Sequence, residues 1–246
     1  MPALVALVLV LAVGTHAASM QIRRTQRPPG VNLRRTRTPA CLDKEEVLAK
    51  LNEVPVFCVA NAAEQLMTVA STGTESTTIV WHLDVDEALA SLVATKAANP
   101  SAGAQLTVAP LGMALTMSTE QSAGPRVRLQ PSQAEYNSMR QSLGFPVADG
   151  QGDDTAEAEQ LIPLFYSDKL QFVDSGGGTM TPYFFGVVDA REAWLESGQA
   201  GDLPGLLLTD LRTFAYKSQH DTSEDWQSAV LVPPDASMRY LRSGSS

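Results

Sequence analysis

"VPVF" at residues 54–57 and "IPLF" at residues 162–165 set an apolar residue, a proline, a branched apolar residue and a phenylalanine in one order at two points of the 246-residue chain. A tetrapeptide recurs by accident, so the flanks decide. Ahead of the first stands "DKEEVLAKLNE" (43–53), in which Asp43 and Glu46 have capping-box spacing and Val47, Leu48 and Leu51 form a helical apolar stripe. Ahead of the second stands "DTAEAEQL" (154–161), with Asp154 and Glu157 at the same spacing.

The agreement continues downstream. "QLMTVAS" (65–71) and "KLQFVDS" (169–175) follow a short turn and read as hairpin partners of the first strands. "TGTES" (72–76) and "GGGTM" (176–180) then give way to "TTIVWHL" (77–83) and "PYFFGVV" (182–188), rich in β-branched and aromatic residues. "DVDEALASL" (84–92) and "DAREAWLES" (189–197) open with Asp-x-x-Glu, which predicts an N-cap at Asp84 and at Asp189 with Glu at N3. "LTVAPLGMALTM" (106–117) and "LLLTDLRTFAYK" (206–217) each read as a strand turning into a short helix, with Pro110 at N1 of one, and Thr209 and Asp210 at the cap and first turn of the other. "RVRLQPSQAEYNSM" (126–139) and "AVLVPPDASMRYL" (229–241) close each series with a strand, proline and a helical stretch.

The spacing of five landmarks drifts only between 100 and 108 residues. The chain therefore reads as a mixed α/β (α+β) fold of two pseudosymmetric copies. Each copy runs helix, hairpin, strand, helix, strand, short helix, strand, helix, with helices packed on a shared sheet core. Pro55 and Pro163 lack a ladder donor and belong at strand starts or on edges. The copies span 42–147 and 160–246, joined by the acidic, Gly-containing connector 148–159. Two copies can form separate domains or one unit; so short a connector favours one unit.

Residues 1–41 read as addresses. "ALVALVLVLAV" (3–13) followed by small residues predicts a signal peptide over 1–18, too short to span a bilayer. The alternative, a buried strand or core helix, lacks an opening cap at Met1. Residues 19–41 carry Arg23, Arg24, Arg27, Arg34, Arg35 and Arg37 with no Asp or Glu, the composition of a transit peptide. Together they form a bipartite presequence of the kind that directs proteins to plastids with more than two membranes.

Six of the 18 basic residues and none of the 27 acidic ones precede Asp43, so the remainder carries 12 basic against 27 acidic residues, a net charge of −15. That balance argues against nucleic acid; it suits basic partners and equally a surface that only keeps the protein in solution. The two cysteines, Cys41 and Cys58, have no CxxC spacing, and neither a disulfide framework nor a redox motif is expected.

Catalytic signals are sparse. Only His82 and His220 follow the signal peptide. "HLDVD" places His82, Asp84 and Asp86 at alternate positions that on a strand could meet a metal, but Asp84 reads better as a helix cap, and no metal or other cofactor is expected. "DSGGGTM" (174–180) lacks the GKS or GKT ending of a phosphate loop and reads as a hairpin loop. No paired nucleophile and base appears, so the chain does not read as an enzyme.

"VPVFCVANAAEQLMTVAS", "VAPLGMALTM", "RVRLQPSQAEYNSM", "LIPLFYSDKLQFVDS", "VVDAREAWLE" and "LLLTDLRTFAYK" resemble the Tic-twenty-two family, the soluble plastid intermembrane-space component of the Tic protein-import translocon. The resemblance covers roughly Leu42 to Leu241. It implies two pseudosymmetric halves with apolar grooves, a chaperone-like role in passing preproteins between translocons, and residence in an intermembrane space of a complex plastid, peripheral to the inner envelope. Preproteins with basic transit peptides and translocon components are the implied partners.

Basic, amphipathic transit peptides suit an apolar groove rimmed by acidic residues. Candidate lining residues are Leu111, Met113 and Met117 on one short helix and Leu211, Phe214 and Tyr216 on its counterpart. Inward-facing stripes on short helices also serve as core, and Trp81 and Trp194 read as core. The rival reading is a structural or assembly subunit of a plastid membrane complex, which would co-purify with one complex instead of touching many precursors.

Overall fold

The computed structural model describes residues 41–70, 77–120, 124–142, 161–174 and 176–244. Helix α1 (Lys44–Asn52) starts where the sequence predicts: the Glu46 N–H donates to Asp43 Oδ1 and the Asp43 N–H donates to Glu46 Oε2, each at 2.8 Å. Such a reciprocal cap stabilises a helix start by about 1 kcal/mol. The presequence, the connector and the Asp154–Glu157 box lie outside the described residues.

The first sheet contains β1 (Pro55–Ala60), β2 (Val69–Ala70), β3 (Thr77–His82), β4 (Gln105–Pro110) and β5 (Arg126–Gln130), with α2 (Val85–Ala98), α3 (Leu111–Thr119) and α4 (Gln133–Ser142) between and after them. The second contains β6 (Pro163–Tyr166), β7 (Phe172–Val173), β8 (Thr179–Phe184), β9 (Leu207–Asp210) and β10 (Ala229–Val232), with α5 (Val187–Glu196), α6 (Leu211–His220) and α7 (Asp235–Ser243). The chain is a mixed α+β protein with these two five-stranded sheets.

Pairing recurs strand for strand. β1 is antiparallel to β3 and β4, and β6 is antiparallel to β8 and β9. β5 runs parallel to β3, and β10 parallel to β8. The Leu111 N–H donates to the Val54 carbonyl at 2.8 Å, and the Leu211 N–H to the Ile162 carbonyl at 2.9 Å. Pro55 and Pro163 each open their strand, where a missing N–H costs little.

Four local expectations shift. The hairpin partners β2 and β7 make their strand pairing with β3 and β8, not with β1 and β6. Before β2, the chain reaches β1 through the Ala60–Leu66 bridge and the bond from the Met67 N–H to the Val59 carbonyl. Pro110 is the N-cap of α3 rather than N1, because its extended backbone (φ −66°, ψ 141°) still pairs with Pro55 in the ladder. Thr209 stays in β9 opposite Leu164, so Asp210 alone caps α6, accepting from the N–H groups of Arg212 and Thr213. Helix α5 begins at Val187 with Gly186 at its cap, which leaves Asp189 inside the first turn instead of capping it.

One face of both sheets feeds a single core. Val54, Val56, Cys58 and Trp81 join Ile162, Leu164, Tyr183 and Leu231 in one apolar cluster, together with Val47 and Leu51 of α1, Leu111 of α3 and Leu211 and Phe214 of α6. Gly112 lets α1 cross α3 closely; a Cβ there would press on the Asn52 side chain and stand 3.3 Å from the Leu48 carbonyl oxygen. On the opposite face of the first sheet, Phe57 packs with Val85 and Ala88 of α2 and with Ala236, Tyr240 and Leu241 of α7. The Phe57 and Tyr240 rings meet edge to face at 5.8 Å. The last helix of the chain thus covers the first sheet. A separate cluster, Leu170, Phe184, Ala190 and Leu203, with Phe172 and Trp194 against it, covers the second.

Candidate functional site

Two strands that run parallel end at the same side of their sheet, so the helices that follow them start side by side. β3 with β5, and β8 with β10, are such pairs. The four strand-to-helix junctions, Leu83–Asp84, Pro131–Ser132, Phe185–Gly186 and Pro234–Asp235, line one cleft of about 190 Å³ between the two halves. Each helix start brings unpaired N–H groups and a positive dipole end, and carboxylates gather there accordingly.

The carboxylates cap neighbouring helices in sequence. Asp84 caps its own α2, accepting from Asp86 N–H at 2.8 Å and Glu87 N–H at 3.2 Å. Glu87, expected to complete that cap as its N3 residue, reaches instead to α4, where its Oε1 accepts from the Gln133 N–H at 2.6 Å and its Oε2 from Gln130 Nε2 at 3.2 Å. Glu135 of α4 crosses to the other half and its Oε2 accepts from the Val187 N–H at the start of α5, at 3.0 Å. Gly186 makes room for it: a Cβ there would lie 3.3 Å from Glu135 Oε1 and 3.1 Å from Asp189 Oδ2. Asp189 of α5 lines the same cleft as Asp235 of α7, and the Asp235 backbone N–H favours its charged form. Ser237 of α7 closes the circuit, its hydroxyl donating to the Leu83 carbonyl at 3.1 Å.

Partial burial raises the proton affinity of Asp189 and Glu135. Asp189 is pushed up to about 6, chiefly by desolvation; the Asp235 N–H opposes, and the carboxylates of Asp235, Glu192 and Glu135 add to the rise. Glu135 is also raised by desolvation, against the Val187 N–H and the Arg191 charge. Arg239 lines the cleft and pairs with Asp235 at 3.0 Å.

The residues chosen from sequence fall into two groups. Leu111, Leu211 and Phe214 are buried in the common core, and Phe214 packs against the rings of Tyr183 and Trp226. Met117 is half-buried against that core, whereas Met113 is 46% exposed and Tyr216 65% exposed, its ring stacked on His220. Where α3, β5 and α6 meet, Leu115, Val127, Leu129, Ile162 and Leu211 line an apolar pit of only about 10 Å³. The roomier cavity is the acidic cleft, which sequence reading missed. Glu135 sits mid-motif in "SQAEYN", and nothing local marks it as a cap for a helix 52 residues away.

His82 is 6% exposed and lowered to about 4 by burial, with Arg128 adding to the effect. Asp84 is committed to α2, and among the described residues no group of three or more His, Cys, Asp and Glu side chains could hold a metal ion. Between β7 and β8, Asp174 Oδ1 accepts from the Gly176 and Gly178 N–H groups, and Thr179 and Met180 of "DSGGGTM" already belong to β8.

Two five-stranded sheets of matching pairing, bridged by helices and opening on a cleft at parallel strand ends, define a two-sheet α+β scaffold. Two solved structures similar to it are Tic22 proteins. The chain is similar to Tic22 from Plasmodium falciparum (18% identity, TM-score 0.59, covering 81% of this chain and 97% of that one). It is similar to Anabaena Tic22, a protein-transport protein, to the same degree (17% identity, TM-score 0.58, covering 82% and 97%). The chain therefore has the Tic22 fold. No protein-family model and no curated protein matches the sequence.

Proposed function

We propose that this chain is a Tic22-type protein-transport factor that binds preproteins without chemistry. The observation that carries the reading is the shared fold over 97% of both Tic22 chains. The acidic mature sequence supports it, since a net charge of −15 after residue 42 attracts the basic transit peptides of incoming precursors and speeds their encounter. The exposed Met113 and Tyr216 and the half-buried Met117 supply apolar contact that adapts to varied clients. No helix among the described residues is long and apolar enough to cross a membrane. On this reading the presequence delivers the protein to an intermembrane space of a complex plastid, where it works beside translocon components. The recurring strand pairing supports two copies of one ancestral unit.

The test is to locate a tagged chain among the plastid membranes and to crosslink it during import of a radiolabelled precursor. Crosslinks to several precursors that weaken with salt are expected. Recovery only in the stroma, or absence of any precursor contact, overturns the proposal; stoichiometric co-purification with one membrane complex instead establishes the structural-subunit reading.

A further inference from the structure

Two side chains in the cleft join the halves, one charged and one neutral. Glu135 ties the first half to α5, and Ser237 ties α7 back to the first half at Leu83. Between those two ties stands Asp189 in the cleft wall, its Oδ2 and Glu135 Oε1 both crowding Gly186, with the carboxylates of Asp235 and Glu192 near it. We propose that the cleft is a proton-operated seam: one proton on the Asp189 carboxyl holds the helix starts of the two halves together, and its loss loosens them.

The charges facing the seam come from each helix around it. They are Asp84 and Glu87 on α2, Glu135 on α4, Asp189, Arg191 and Glu192 on α5, and Asp235 and Arg239 on α7. Arg239 is engaged with Asp235, and Arg191 acts on Glu135. An ionised Asp189 adds a negative charge beside Asp235, Glu192 and Glu135 in a partly desolvated cleft, which favours separation of α4, α5 and α7. A protonated Asp189 removes that repulsion. Since its proton affinity in the closed seam is raised to about 6, the closed state holds a proton that an opened, hydrated seam releases. Closure is therefore strongest in acid and weakens as pH rises through about 6. His82, at the end of β3, titrates near 4 and stays neutral through this window.

Amide exchange on the full chain tests the seam. The first-turn amides of α5 and α7 are followed at mildly acidic and mildly alkaline pH, with intrinsic exchange rates divided out. Linkage predicts that local opening grows up to about tenfold from about pH 5 to about pH 7.5. In Asp189→Asn the growth disappears, while Glu192→Gln keeps most of it. A carboxyl-carbon NMR titration of the unaltered chain supplies a readout independent of any variant: Asp189 is expected to titrate near 6. Protection that does not change with pH, an unaltered pH response in Asp189→Asn, or an Asp189 midpoint in the ordinary carboxyl range each overturns the proposal. These measurements involve no precursor, so they can fail while the import reading stands.

Discussion

The Lys50 amine, on the first helix, lies 2.6 Å from the carbonyl oxygen of Ala229, at the start of the last strand. It also donates to the Gln227 carbonyl at 3.2 Å. Burial lowers its proton affinity, against the nearby Glu53, Glu46 and Asp225. One side chain thus fastens the beginning of the folded chain to its end. Lys50→Met keeps the apolar stem and strands two carbonyls, which should cost about 1–2 kcal/mol in urea unfolding. The exposed Lys44→Met should change stability by less than about 0.5 kcal/mol.

Glu135 serves a helix in the other half. Glu135→Ala is expected to remove about 1 kcal/mol, while Glu135→Gln, which keeps an acceptor oxygen, should lose less. Amide exchange at Val187 should speed up in the alanine variant and leave the core strands β1 and β6 unaffected.

The pH dependence of stability combines opposed groups, with Asp189 and Glu135 raised and His82 lowered. Asp189, raised to about 6, makes the folded chain bind more protons than the unfolded one, so its contribution falls as pH rises from about 4 to 6. His82, lowered to about 4, makes the folded chain bind fewer, so its contribution grows between about 4 and 6.5. Asp189 and His82 oppose each other in the unaltered chain. Asp189→Asn should unmask the histidine, giving stability that climbs by about 2 kcal/mol across that interval. Urea midpoints at a series of pH values check this, and a flat profile in the variant would contradict it.

Leu111 and Phe214 on one hand, Met113 and Tyr216 on the other, separate packing from binding. Leu111→Ala and Phe214→Ala should cost about 2–5 kcal/mol as core truncations. Met113→Ser and Tyr216→Ser should stay within about 0.5 kcal/mol of the parent and yet reduce precursor crosslinking. If the two exposed substitutions leave crosslinking unchanged, the preprotein surface lies elsewhere.

What the sequence discloses and what it hides follow one division. Features settled by neighbours in the chain are legible: the Asp43–Glu46 box, the Asp84 cap, the prolines opening β1 and β6 and the order of the described elements. Features settled by distant neighbours are not. Asp189 has a cap's spacing to Glu192, but Gly186 takes the cap because Glu135 arrives from another helix to satisfy the first N–H. β2 and β7 look like partners of the strands before them, and the choice of β3 and β8 is made by sheet assembly. The cleft exists only because parallel pairing gathers four helix starts, and no stretch of sequence announces parallel pairing. Apolarity alone likewise could not tell Phe214, sunk among aromatic rings, from Tyr216 two residues later on the surface.

Tyr240 against Phe57 carries a consequence for how the protein matures. A chain that emerges from a ribosome or a membrane pore amino end first exposes β1 and α2 long before α7 exists, leaving the Phe57 face bare for most of that passage. Threading must finish before the amino-terminal sheet acquires its cover. A truncation ahead of residue 235 would therefore damage the half of the molecule farthest from the cut in sequence.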